Sequence, residues 1–240
     1  MEKKKERIAK RIASAGVCSR RDAERAVEQG RVKVDGVVLK TPAFLVDETN
    51  VVEVDGTVIG GKPAVRVWCY HKPAGLITTA KDPQGRPTVF DHLPKHLPRV
   101  VSVGRLDFNS EGLLLLTTDG ALARQLELPA NEWKRKYRVR VHGKVTPEII
   151  GRLQKGVKIK GVAYAGCEIE VERVQGTNTW VLMTLKEGKN REIRRLMDFF
   201  GLPVTRLIRI SYGPFNLGNL EKGDVREIPT KTLKELIPCA

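Results

Sequence analysis

The chain has 240 residues, with 43 Lys and Arg against 28 Asp and Glu, a net charge of +15 at pH 7 and a pI near 9.8. At 41% hydrophobic and 30% charged residues it can bury a core, so wholesale disorder is excluded, and its length suits one large or two unequal domains. The longest uniformly aliphatic run, Leu113–Leu116, is far too short to cross a bilayer, so no membrane partner is expected.

The N-terminus, MEKKKERIAKR, is charged and has no apolar stretch behind it, which argues against a secretory signal. Acidic residues Glu2, Glu6, Asp22, Glu24 and Glu28 argue against a transit peptide. Cys18, Cys69, Cys167 and Cys239 are widely separated, without ligand-like or disulfide-scaffold spacing. Four free thiols in the cytoplasm are the expectation, with no metal site.

Residues 6–15 read as a helix, because Ile8 and Ile12 share a face and Gly16 can stop it. Ser19, with Asp22 three residues on, resembles a capping box and opens a second helix to about Gln29. That helix carries Arg20, Arg21 and Arg25. Val32–Val38 and Val52–Val58 each read as a hairpin around Asp-Gly. Residues 64–232 are strand-rich: 65–70, 76–79, 100–103, 113–117, 137–141, 168–174, 180–185 and 204–210. Helices are expected after Gly120, from Pro147 with Thr146 as cap, and over 191–200 with Asn190 as cap. In the last of these, Ile193, Leu196, Met197 and Phe200 form the apolar stripe. Irregularly inserted helices imply α+β with a mostly antiparallel sheet.

The positive charge is clustered. Residues 1–33 hold eleven basic and five acidic residues, whereas residues 34–62 hold two and five. Lys134–Lys144 holds six basic residues and no acid, and Lys186–Arg209 seven against three. Clustered Lys and Arg displace counterions from phosphates, so a nucleic acid is the expected partner. A basic helix lying on a membrane would need bulky apolar residues, which residues 1–30 lack.

Two short basic helices followed by hairpins, with Ser19-Arg20-Arg21-Asp22-Ala23 leading to Val34-Asp35-Gly36, resemble an S4-type RNA-binding domain. The resemblance spans residues 5–62. It implies an S4 domain of residues 1–62 and a second domain of residues 63–240.

A second segment bears on chemistry. In Gly104-Arg105-Leu106-Asp107, Arg105 and Asp107 are two apart and in extended backbone point the same way. By spacing alone, Asp107 could equally open an ordinary Asp-x-x-Ser turn. Gly104–Asp107, then Ser110-Glu111-Gly112-Leu113 through Thr117-Thr118-Asp119-Gly120, are similar to the signature of pseudouridine synthases related to the small-subunit rRNA enzyme. His71–Gly75, Lys136–Val139 and Glu187–Leu196 agree with the same family. Ser110 stands where members often have Thr. The resemblance implies an isomerase that needs no cofactor, with Asp107 as its carboxylate.

It also implies that Tyr137 stacks on the target base and that an arginine of the 187–196 stretch pairs with Asp107, Arg191 first and Arg194 second. Arg105 joins the catalytic set. By alternation, Tyr137, Val139 and Val141 face one way and Lys136, Arg138, Arg140 and His142 the other. Lys136, Arg138, Lys189, Arg194 and Arg195, with Arg20, Arg21 and Arg25, are the expected RNA contacts. Trp180 is expected in the core. Asp82–Asp91 resembles the B-type large-subunit (23S) rRNA branch, which implies a 23S uridine in free RNA or a ribosomal precursor, modified by a monomer. Two alternatives stand beside this: the same reaction at a 16S or another 23S site, and a non-catalytic S4-containing ribosome assembly factor. A synthetase-like enzyme lacks its ATP signatures here.

Overall fold

The computed structural model describes residues 5–128 and 131–237, so Cys239 lies outside the described residues. The chain divides into two compact units. One runs to Arg66 and takes in His96–Val101 and Thr118–Gly120; the other holds Val67–Lys95, Ser102–Thr117 and the chain from Ala121 on.

In the first unit, β1 (Glu6–Arg7) leads into α1 (Ile8–Ser14) and α2 (Arg20–Glu28). Residues 6 and 7 are strand rather than helix, because they pair with β4 (Leu45–Val46). The Ser19 hydroxyl caps α2 by accepting from the Asp22 N–H at 3.1 Å. β2 (Val32–Val34) and β3 (Val37–Val38) form one hairpin, β5 (Val52–Val54) and β6 (Thr57–Val58) the other, and the four strands order as β3-β2-β5-β6. Asp35 (φ 50°) and Gly36 (φ 81°), like Asp55 (φ 52°) and Gly56 (φ 76°), take the left-handed backbone that a two-residue hairpin turn requires. Ile8, Ile12, Ala23, Val27, Val32 and Val52 close the core between helices and sheet. Arg20 and Arg21 remain exposed, and Arg25 pairs with Asp22 one turn back.

The second unit is built on β7 (Val67–Lys72), β8 (Val101–Val103), β9 (Glu111–Thr117), α3 (Gly120–Glu127), β10 (Arg135–His142), α4 (Pro147–Lys155), β11 (Val157–Ile159), β12 (Val162–Tyr164), β13 (Glu168–Gln175), β14 (Asn178–Leu185), α5 (Glu192–Phe199), β15 (Val204–Tyr212), β16 (Phe215–Asn216), β17 (Val225–Glu227) and α6 (Thr230–Leu236). Its sheet runs β13-β14-β10-β15-β9-β7-β17, with β8 and β16 off this path. Every pair along the path is antiparallel except β9 with β15. The α+β expectation therefore matches the fold. Val139, Val141, Val181, Met183 and Leu207 on one sheet face pack with Leu153 of α4 and Ile193, Leu196 and Met197 of α5.

Several expected elements differ. Residues 76–79 form no strand; only Ile77 bridges, to Thr88. That segment instead wraps the loop before β9, where Thr78 has a buried polar partner described below. Helix α5 starts at Glu192, and its N-cap is Arg191 in left-handed backbone, so Asn190 is not the cap. Asn190 Oδ1 accepts from Arg195 instead. The pair β11–β12, the strands β16 and β17 and helix α6 went unread, being short pieces without enough periodicity to detect.

Candidate active site

The parallel pairing of β9 with β15 sets the geometry. Gly112 of β9 pairs with Arg209 of β15, and Arg209 pairs with Tyr137 of β10. Gly112 has φ 104°, and a Cβ there would overlap the Arg209 carbonyl, so only glycine lets the two backbones approach. The strand that follows Asp107 is thereby brought one strand away from Tyr137.

Asp107 lies in a tight turn that other elements clamp. Ser110 N–H donates to the Asp107 carbonyl at 3.0 Å, so the backbone closes the turn and the carboxylate takes no part in it. Buried Leu106 is bracketed by Thr78, whose hydroxyl donates to the Leu106 carbonyl at 2.9 Å and accepts from its N–H at 3.3 Å. Gly104 N–H donates to Glu127 of α3 at 2.7 Å. From below, the fully buried Lys72 ammonium donates to the carbonyls of Pro73 (3.0 Å), Asp107 (3.2 Å), Phe108 (3.4 Å) and Ser110 (2.9 Å). Burial pulls the Lys72 pKa down to about 8, against the pull of Asp107 and Glu111. Arg194 closes the far side, donating to Asn109 O and Val204 O, each at 3.1 Å.

Asp107, 32% exposed in its side chain, faces a cavity of about 650 Å³. Arg105, Tyr137, Arg191, Glu192 and Arg209 are among the residues that line it. Arg191 Nη1 stands 3.8 Å from Asp107 Oδ2. Glu192 is buried, accepts from the Lys189 N–H at 3.0 Å, and is pushed up to about 7, chiefly by burial and further by Glu187. Arg135 spends its donors on Lys186 O, Glu187 O and the Tyr212 hydroxyl.

The sequence-derived residues thus separate into groups. Asp107, Arg105, Tyr137, Arg191 and Lys189 share the cavity. Arg194 was read as an RNA contact, but its guanidinium is occupied by two backbone carbonyls, because it braces the Asp107 turn against β15. The Lys189 ammonium is held by Glu187 Oε1 at 2.6 Å and Ala163 O at 2.9 Å. Arg195 reaches the Tyr164 hydroxyl and Asn190. Lys136 and Arg138 lie on the other face of the sheet. There Arg138 pairs with Glu172 at 2.6 Å and stacks on Trp180, and Lys136 lines a separate cavity of about 450 Å³. Trp180 is buried, as expected. Lys72, Thr78, Glu192 and Arg209 were missed. Arg209 follows Leu207 by two in an alternating strand, and that spacing was the available signal for an inward arginine.

Comparison with known proteins shows the family. A family model described as RNA pseudouridylate synthase matches residues 66–198, and one described as S4 domain matches residues 6–52. The chain is 50% identical over 235 residues to a Rickettsia prowazekii protein named as an uncharacterized RNA pseudouridine synthase, covering 97% of this chain and 99% of the relative. It is 43% identical over 242 residues to a Yersinia pestis protein named ribosomal large subunit pseudouridine synthase B, covering 97% and 76%. A crystal structure described as a pseudouridylate synthase superposes with a TM-score of 0.69 at 23% identity, covering 96% of this chain and 99% of that one; it supports the fold.

Proposed function

The chain belongs to the RNA pseudouridylate synthase family and carries an S4 domain, and from that premise we propose that it isomerises a uridine of large-subunit (23S) ribosomal RNA, with Asp107 as the catalytic carboxylate. The observation that carries the assignment of Asp107 is its pairing with Arg191 in a cavity that Tyr137 also lines. The large-subunit target rests on the relative named for that substrate and on the Asp82–Asp91 loop.

The reaction breaks N1–C1′, turns the base over and rejoins it through C5. The product has the same atoms as the substrate, so the chemistry calls for no cofactor. Asp107 either attacks C1′ or takes the 2′ proton. Tyr137 stacks on the base, and its hydroxyl assists removal of the C5 proton. Arg191 holds the Asp107 carboxylate in place, and Arg105 lies at the cavity wall. The target nucleotide must leave its stack to reach Asp107, at about a few kcal/mol, which is least in loops.

Arg20 and Arg21 supply phosphate contacts away from the reacting base, through an S4 domain of residues 1–62 ahead of a catalytic domain of 63–240. Lys189 serves the cavity wall, and Arg195 contacts RNA from α5 beside it. Lys136 and Arg138 contribute to a basic strip on the opposite sheet face. The protein acts as a cytoplasmic monomer on rRNA or a precursor particle.

The test is chemical mapping of pseudouridine in both rRNAs after gene deletion, then after restoration with wild type or Asp107→Ala. One large-subunit site should vanish and return only with wild type. A small-subunit site would move the target, and an unchanged map would leave the non-catalytic assembly factor as the better reading.

A further inference from the structure

Arg209 lines the cavity, and among the described residues no acid neutralises its guanidinium. Arg209 is 2% exposed, and its Nε donates to Leu113 O at 2.7 Å. Its Nη2 is buried without a hydrogen-bond partner, and among the described residues no carboxylate pairs with it. The Tyr212 ring lies 5.1 Å from its Cζ, and Arg135 stacks on that ring at 4.9 Å. Two arginines therefore flank one tyrosine; both terminal nitrogens of Arg135 are hydrogen-bonded, whereas Arg209 Nη2 is not. A buried guanidinium without a counter-charge is unfavourable, and it favours negative charge that arises beside it.

The proposed isomerisation says where such a charge arises. When N1–C1′ breaks, the bonding pair leaves with the base and spreads over N1, O2 and O4. If Asp107 bonds to C1′, its negative charge is consumed in the ester. If it takes the 2′ proton, the charge is consumed in the acid. Either way one negative charge passes from Asp107 to uracil. It returns when C5 joins C1′, as the ester carboxylate is displaced or the proton goes back to C2′. The C5 proton is then lost and N1 gains one.

We infer that Arg209 stabilises the detached uracil anion through its positive charge, an inference that rests on the isomerase reading. The competing cations are less suited. Arg191 is about half exposed and already faces Asp107, Lys189 is held by Glu187, and Arg105 is exposed. Arg209 is fixed, buried and uncompensated, and it pairs across the sheet from Tyr137, which stacks the base. A preorganised charge in a water-excluded site acts most strongly on charge that develops during reaction.

The test compares single-turnover formation of the C5–C1′-linked nucleoside in RNA carrying the mapped uridine or 5-fluorouridine in its place, where C5 keeps its fluorine and water adds across N1 and C6 instead of the final proton loss. Fluorine withdraws electrons, so the fluorinated base is more stable as an anion and needs less help. Arg209→Met should slow uridine on the order of 100-fold, the loss typical of removing one such donor, and 5-fluorouridine by roughly tenfold. Arg209→Lys, which keeps the charge, should recover most of the uridine rate. Arg209→Gln keeps a donor for Leu113 O and carries the same comparison should the Met variant not accumulate. Equal slowing on both substrates, or none, overturns the inference and reduces Arg209 to a packing role. A wild-type enzyme that forms no pseudouridine anywhere overturns the isomerase reading itself.

Discussion

Arg191 Nη1 faces Asp107 Oδ2 at 3.8 Å from a left-handed backbone, φ 51° and ψ 34°, immediately ahead of α5. Left-handed backbone is unfavourable for arginine, by about 1–2 kcal/mol. The strain is held in place by Glu192, whose N–H donates to Lys189 O and whose carboxylate accepts from the Lys189 N–H. The loop is thus shaped to present one guanidinium to one carboxylate.

Arg191→Ala should lower kcat by roughly tenfold or more while KM changes little, because a misplaced catalytic group is felt in the reaction step. Its Tm should stay close to wild type, since a half-exposed ion pair contributes about 0–1 kcal/mol and alanine meets the same backbone strain. A large rise in KM with kcat intact would assign Arg191 to RNA binding.

Glu192 gives the protein a stability slope near neutral pH. Burial raises its folded pKa from the ordinary 4.5 to about 7. Between those values the folded state keeps a proton that the unfolded chain has lost. The contribution is fully present below pH 4.5 and is lost as pH rises through 7. Glu192→Gln can still accept from the Lys189 N–H but does not titrate. The Tm of this variant minus that of wild type should therefore be larger at pH 8 than at pH 5. A difference independent of pH would mean that Glu192 does not titrate in this range.

Gly112→Ala tests the parallel strand contact. A side chain there meets the Arg209 carbonyl and a backbone at φ 104°. The loss should reach about 3 kcal/mol in denaturant unfolding. A variant as stable as wild type would show that β9 and β15 need not approach so closely.

Much of this was legible in the sequence. The Asp-Gly hairpins, the Ser19 cap and the Thr146-Pro147 helix start depend on local backbone chemistry, and local residues sufficed to find them. Asp107, Tyr137 and Arg191 could be singled out by resemblance, but their shared cavity depends on the β9–β15 and β10–β15 pairings, which no window of sequence contains. Lys72 appeared only within the His71–Gly75 segment, beyond the expected strand 65–70. Three of its four carbonyl partners come from a loop 35–38 residues away, and the fourth is its neighbour Pro73. Arg194 read as solvent-facing because charge normally is; its two carbonyl acceptors are a tertiary fact.

Removing residues 1–62 tests whether the S4 domain acts as a tether. KM should rise far more on a long structured RNA than on a minimal stem-loop, because a second binding site raises the effective concentration of the first only when both sites are present. Equal losses on the two substrates would contradict tethering.

The most direct test of the whole account is Asp107→Asn in a single-turnover assay on RNA containing the mapped uridine, with RNA affinity measured alongside. The amide keeps the size and the backbone turn but removes the carboxylate. Pseudouridine should fall below detection while affinity stays within about threefold, the pattern of an interaction used in the transition state rather than in binding. Conversion within tenfold of wild type would contradict the account, because the reaction would then be proceeding without the group assigned to it.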